Sequence, residues 1–255
     1  MKTALATMFL LLMLIPAQQA LRAGPEETAS RFEIELEAGP VWQTTNDVQI
    51  PNTDDGTRFS LVDLAGKGPW LAPRAYLTWN IRPRHSIRLL AAPLSYTESG
   101  EFAAPVDFEG ETFETGVATE ATYKFNSYRV TYAYRFHSGQ RWTWWVGFTA
   151  KIRDAKIKLA QSGTSSEKTD LGFVPLLHLR GAYHFSQDWH ALLDVDALAG
   201  GPGRAEDVAL KLSRAITDRW SISMGYRTVE GGADVEEVYN FAWLHYAVLS
   251  ASYRF

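Results

Sequence analysis

The sequence predicts an all-β protein, an antiparallel up-and-down transmembrane β-barrel of ten strands, with short turns at one end and longer loops at the other. Three observations carry this. Apolar and polar residues alternate with a period of two through most of the chain, as in strands with two unlike faces. Aromatic side chains gather at both ends of those strands, with aliphatic residues between. The one long apolar run lies at the N-terminus and is too short to stay in a bilayer.

That run extends from Ala4 to Ile15, behind Lys2 and ahead of Pro16, and small residues Ala17, Ala20 and Ala23 follow. Its helix would measure about 18 Å against a hydrocarbon core of about 30 Å, so residues 1–23 read as a secretory signal peptide cleaved near Ala20 or Ala23. Residues 24–255 then form a single barrel domain. Across 255 residues, 25 Lys and Arg stand against 29 Asp and Glu, a net charge of −4 that argues against a nucleic-acid partner. Cysteine is absent, which removes disulfides, Cys-ligated zinc, iron–sulfur clusters and a thiol nucleophile. No cofactor or metal is expected.

The strands follow in order. In 31–43, Phe32, Ile34, Leu36 and Ala38 alternate with Glu33, Glu35 and Glu37. In 71–82, Ala75, Leu77, Trp79 and Ile81 oppose Arg74, Tyr76, Thr78 and Asn80. Strand 86–97 carries Arg88, and 121–136 sets Tyr128, Val130, Tyr132 and Tyr134 against Arg129 and Arg135. Trp142, Trp144, Val146, Phe148, Ala150 and Ile152 mark 141–153, with Lys151 and Arg153 on the other face. Strands 169–185, 189–199, 205–216, 219–229 and 238–255 complete the set. Short turns near 82–85, 137–141, 186–188 and 217–219 alternate with longer links at about 44–70, 98–120, 154–168, 200–204 and 230–237. An even count with both termini on the short-turn side closes the ring and leaves no edge. Phe59 to Leu64 is expected to be a strand-like or helical piece of the first long loop, capping the barrel or folding into its mouth. Pro93 and Pro175 lack ladder donors and predict bulges; His245 falls on the lipid side.

The direction of the faces decides between a soluble lipocalin-like barrel and a membrane barrel. The polar faces hold Arg74, Arg88, Arg129, Arg135, Lys151, Arg153, Arg180, Lys211 and Arg227. With them are Glu33, Glu35, Glu37, Asp194, Asp196 and Asp207, a mixture that suits either water outside or an ion-paired lumen. The aromatics break the tie. Trp79, Phe136, Trp142, Phe185, Trp220 and Phe255 sit by the short turns, while Trp42, Tyr128, Phe173, Tyr226 and Trp243 sit toward the opposite ends. Two such belts are what the two membrane interfaces select.

The chain therefore resembles the bacterial outer-membrane β-barrel proteins. The likeness rests on the signal peptide, the belts, and a last strand YAVLSASYRF ending at Phe255 with Tyr253 two residues before it. It implies residence in the bacterial outer membrane among lipids and lipopolysaccharide, with Tyr253 and Phe255 as the signal read by the assembly machinery. Ten strands invite comparison with the omptins, outer-membrane proteases. Here Asp188-Trp189-His190 falls at a short periplasmic turn, the wrong end for their chemistry. The pairs His85-Ser86 and His137-Ser138 fail as outer-membrane lipase sites for the same reason.

If the turn at 186–188 is symmetric about Gln187, His178 faces Asp196 and Arg180 faces Asp194 in the lumen. A carboxylate against an imidazole is raw material for general-base catalysis, but an ion-paired barrel interior is the favoured explanation. The expectation is a non-enzymatic protein, with narrow passage of a small solute or ion along the charged lumen as its most concrete activity. The alternative is a structural or surface-interaction barrel with a closed lumen, since ten strands with Trp145 and long charged side chains inside leave little bore. An outer-membrane hydrolase and a soluble periplasmic lipocalin-like binder rank behind both. Finally, 98–120 carries seven acids (Glu98, Glu101, Asp107, Glu109, Glu111, Glu114 and Glu120) and no Lys or Arg, which reads as solvated rim charge.

Overall fold

The computed structural model describes residues 30–255; the expected signal peptide lies outside the described residues. The strands are β1 (Phe32–Ala38), β2 (Pro40–Gln49), β3 (Phe59–Ser60), β4 (Trp70–Leu71), β5 (Arg74–Arg82), β6 (His85–Ala92), β7 (Ser95–Glu101), β8 (Val106–Phe108) and β9 (Glu111–Phe113). Then come β10 (Ala118–Ser138), β11 (Trp142–Gln161), β12 (Thr164–His184), β13 (Trp189–Gly200), β14 (Gly203–Ala215), β15 (Trp220–Val235) and β16 (Val238–Arg254). One short helix, α1 (Leu61–Ala65), follows β3.

Antiparallel pairing runs β1, β5, β6, β10 and on through β16, and β16 pairs back to β1. The pairs β1/β2, β4/β5 and β6/β7 are single staves interrupted once each, and β10 to β16 are continuous, so the ring has ten staves. Gly39, at the first break, admits no side chain: a β-carbon there would lie 1.8 Å from the carbonyl oxygen of Ala247 on β16. At Pro93, the gap between β6 and β7, the Asn126 side chain accepts from the Leu94 N–H at 3.1 Å and so satisfies that donor where the ladder is interrupted.

Polarity is inverted relative to a soluble barrel. Leu36, Phe148 and Leu249 are 60%, 67% and 62% exposed on the outer surface, while Glu37 and Asp207 are buried at 2% and 3%. At the short-turn end the outer rings form a contact chain: Trp79 stacks on Phe32, Phe32 on Phe255, and Phe255 on Tyr253, which meets Trp220. His245 does lie on the outer face, where Thr44 Oγ1 (2.9 Å) and the Tyr226 hydroxyl bond its two ring nitrogens among Trp42 and Trp243.

The far end differs from the expected open loops. Residues 154–168 are not a loop: β11 and β12 continue to a two-residue turn at Ser162 and Gly163, both at positive φ as such a hairpin requires. Likewise β15 and β16 extend until Val235 pairs with Val238. β10 and β12 reach 21 residues, about twice what a spanning strand needs, so they stand well clear of the membrane. The link 98–120 contains the β8–β9 hairpin, turned at Glu109 and Gly110, which are also at positive φ.

These loops fold into the mouth. Leu61, Leu64 and Ala65 of α1, Phe59, Phe102, Val106, Phe108 and Phe113 pack on Tyr123, Ile157 and Leu159 of the wall to form an apolar plug. Ser60 caps α1 by accepting from the Asp63 N–H at 3.3 Å. Gln43 on β2 anchors the plug, donating to the Gly66 carbonyl at 2.6 Å and accepting from the Tyr96 hydroxyl at 2.7 Å. Trp70 stacks on Tyr96 at 3.6 Å between centroids and donates to Glu98 at 2.8 Å.

Candidate functional site

Beneath the plug the lumen is crossed by a lattice of ion pairs. Small residues on β15 and β16, among them Ser221, Ser223, Ser250 and Ser252, line the wall and leave volume that long charged side chains fill. Asp207 on β14 is the hub. It accepts from Arg74 at 2.9 Å, from Arg129 at 2.7 Å and from Arg227. Glu37 is the second hub, taking Arg227 at 3.1 Å, Lys211 at 3.1 Å and Arg74 at 3.6 Å. Glu35 binds Lys211 at 2.5 Å, and the Tyr76 hydroxyl accepts from both Arg74 and Arg227 at 2.9 Å. On the opposite side Arg88 grips Asp194 with both terminal nitrogens, at 2.5 and 3.0 Å. Five carboxylates (Glu35, Glu37, Asp194, Asp196, Asp207) thus meet five cations (Arg74, Arg88, Arg129, Lys211, Arg227). Such a lattice is tolerable away from water only because each charge has an opposite within hydrogen-bond reach.

The register sets His178 opposite Asp196 and Arg180 opposite Asp194. His178 Nδ1 lies 2.8 Å from Asp196 Oδ1, which also accepts from Thr149 Oγ1 at 2.8 Å; Arg129 binds the other oxygen at 2.8 Å. The couple therefore has a general base's geometry but is enclosed, His178 being 2% exposed. Arg180 does not bind Asp194, which Arg88 occupies; its guanidinium lies over the Trp145 ring at 5.4 Å.

Three other expected lumen charges stand at the rims. Glu33 pairs with Arg254 at 2.9 Å beside the short turns, and Arg135 donates to the Pro83 carbonyl of the first short turn at 2.5 Å. Arg153 binds Asp170 near the far mouth. Facing parity placed these side chains inward but carried no depth, and depth decides whether they join the lattice. Lys151 is 4% exposed, as deep as the lattice, yet among the described residues no carboxylate lies within ion-pair distance of it. Tyr76 and Asp207 were visible on the polar faces; nothing in the sequence marked Asp207 as the hub, because its three arginines come from β5, β10 and β15.

Two of the rim acids are paired as well. Glu109 holds Lys168 at 3.0 Å and Glu230 holds Arg204 at 2.5 Å. Hydrogen bonds from Lys124 and Asn126 hold the Asp154 carboxyl below its ordinary range.

A ring of staves with outward-facing apolar residues, aromatic belts and a charged interior has the fold of the bacterial outer-membrane β-barrel proteins. The fold is similar to that of the outer-membrane protease OmpT from Escherichia coli, with a TM-score of 0.53 at 10% identity over 89% of this chain and 98% of that one. Neisserial surface protein A follows at a TM-score of 0.41, with 14% identity over 90% of this chain and 100% of that one. Ail of Yersinia pestis gives 0.40, with 12% identity over 88% and 99%. At 10% identity the likeness to OmpT is one of fold. No protein-family model and no curated protein matches the chain.

Proposed function

We propose that this protein is a closed-lumen, non-enzymatic barrel that acts through its extracellular half and does not pass solutes along its bore. The observation that carries the reading is the ion-pair lattice crossing the lumen under an apolar plug. A permeating ion would have to separate pairs whose disruption costs about 3–5 kcal/mol each when one partner is left buried and alone. Ten staves lie close to the size that side chains fill. The enclosed His178–Asp196 couple offers no path for substrate, and the Asp188/His190 pair lies at the short-turn end, where His190 packs on His184 at 5.3 Å. In this reading the partners are outer-membrane lipids and lipopolysaccharide around the belt, and the assembly machinery that reads Tyr253 and Phe255.

Planar-bilayer recording tests this. Protein that shows the heat-dependent gel shift of a folded barrel is expected to insert without steady conductance. A stable ohmic step, altered by Arg129→Ala or Arg227→Ala, refutes the closed lumen and supports the narrow pore.

A further inference from the structure

The wall of the barrel is incomplete on one side. β12 pairs with β11 over its whole length but with β13 only from Leu177 toward the short turns. The ladder stops beside Pro175, which has no N–H to continue it. The β13–β14 hairpin turns back at Gly200 and Gly203, well below the tops of β12 and β15. A side opening results at the level of the outer aromatic belt, where Phe173 is 65% and Leu198 40% exposed.

Behind the opening lies a cleft of about 700 Å³, within the range typical of small-molecule sites (about 300–1,000 Å³). Its walls include Phe125, Ile157, Val174, Val229 and Leu244. Charged groups also line it: Glu237 is exposed and has no ion-pair partner among the described residues, and every lining cation but one is ion-paired. Lys124 pairs with Asp154 at 2.6 Å, Lys156 with Glu167 at 3.7 Å and Lys168 with Glu109 at 3.0 Å; Arg153 and Arg204 hold Asp170 and Glu230.

The exception is Lys151. It is 96% buried, its Nζ has neither an ion-pair partner nor a hydrogen-bond acceptor among the described residues, and it rests 4.7 Å from the centre of the Phe125 ring. The lattice cannot neutralise it, because Asp196 and Asp207 are taken by arginines. An aromatic face compensates a buried ammonium only in part.

From this combination we infer that the cleft binds a single-chain amphiphile with one acidic headgroup, a long-chain carboxylate. It enters sideways from the outer leaflet, sets its carboxylate on Lys151 and lays its chain past Val174 and Phe173 toward the lipid. One free ammonium calls for one negative charge, which disfavours a multiply charged phosphate. Apolar walls call for a chain, and the belt-level opening supplies the route. This inference concerns the wall of the barrel, so bilayer conductance has no bearing on it.

The test is titration of the folded protein in phosphatidylcholine nanodiscs with dodecanoate, subtracting empty nanodiscs. Saturable one-to-one binding is expected. Dodecanol, with the same chain and no charge, should bind at least tenfold more weakly, and acetate should not bind. Lys151→Met should weaken dodecanoate at least tenfold, whereas Lys151→Arg should keep it. Ala155→Trp, which fills the cleft and leaves the ammonium, should also abolish binding and decides the matter if Lys151→Met fails to fold. Equal binding of dodecanol and dodecanoate, binding of acetate, or undiminished dodecanoate binding by Ala155→Trp overturns the inference.

Discussion

Asp207→Asn is the sharpest probe of the lattice. Asp207 is 3% exposed and accepts from three guanidinium groups. The substitution keeps the shape and removes the charge, leaving five lattice cations against four carboxylates. No arginine is stranded: Arg129 keeps Asp196 at 2.8 Å, Arg227 keeps Glu37 at 3.1 Å, and Arg74 keeps Glu37 at the longer distance of 3.6 Å. Removing one partner of a buried pair costs about 3–5 kcal/mol, and the remaining partners put this case near the lower end, about 3 kcal/mol. That is roughly a hundredfold in the folding equilibrium. Urea unfolding of vesicle-folded protein, read by tryptophan fluorescence, measures it. Removing a cation as well should restore balance, so Asp207→Asn with Arg129→Met is expected to fall short of the sum of the single effects by about 1 kcal/mol or more. Arg254→Ala is the control; its pair with Glu33 is rim-exposed and is worth about 1 kcal/mol or less. An Asp207→Asn change within about 0.5 kcal/mol of wild type, or strict additivity in the double variant, refutes the argument that these charges hold the barrel as a mutually balanced set.

Gly39→Val should prevent the heat-shifted form altogether, because the new β-carbon would collide with the Ala247 carbonyl where β1 gives way to β2; gel migration without boiling reads this directly. Phe108→Ala opens a void between Phe59 and Phe113 and should cost about 3–5 kcal/mol of local stability. Its signature is protease cleavage within 102–117 while the barrel keeps its gel shift. Phe255→Ala should lower the folded fraction in cells and leave detergent refolding of the purified chain unchanged; equal losses in both would remove the terminal residue from any assembly signal.

The sequence was legible where one face met lipid. Leu36 and Glu37 alternate because lipid and lumen impose opposite demands, and the pattern gave the faces correctly. It faded above the membrane. Lys156, Lys158, Glu167 and Lys168 lie on strands whose outer side meets water, so 154–168 read as a loop although Ser162-Gly163 carried a hairpin turn signal. The plug was hidden in a similar way. Val106, Phe108 and Phe113 are interleaved with the acids of 98–120, and the charge drew attention away from an apolar set only two strands long. Lumen depth was not legible at all, since Glu33 and Glu37 share a parity but occupy a wet rim and a buried hub. The free state of Lys151 also lay beyond reach, because it depends on which carboxylates the arginines of other staves claim.

The lattice also bears on how the barrel can be made. Glu35 and Glu37 belong to the first stave, yet their partners Lys211 and Arg227 come 174 to 190 residues later. Until those staves arrive, the early carboxylates need hydration, and a half-built sheet could enter lipid only with its polar face still wet. Contacts so distant along the chain are slow to form. Closure of β1 on β16 and neutralisation of the interior must therefore occur as one late, cooperative event, with the unfinished chain held at a water-accessible seam until its last strand is in place.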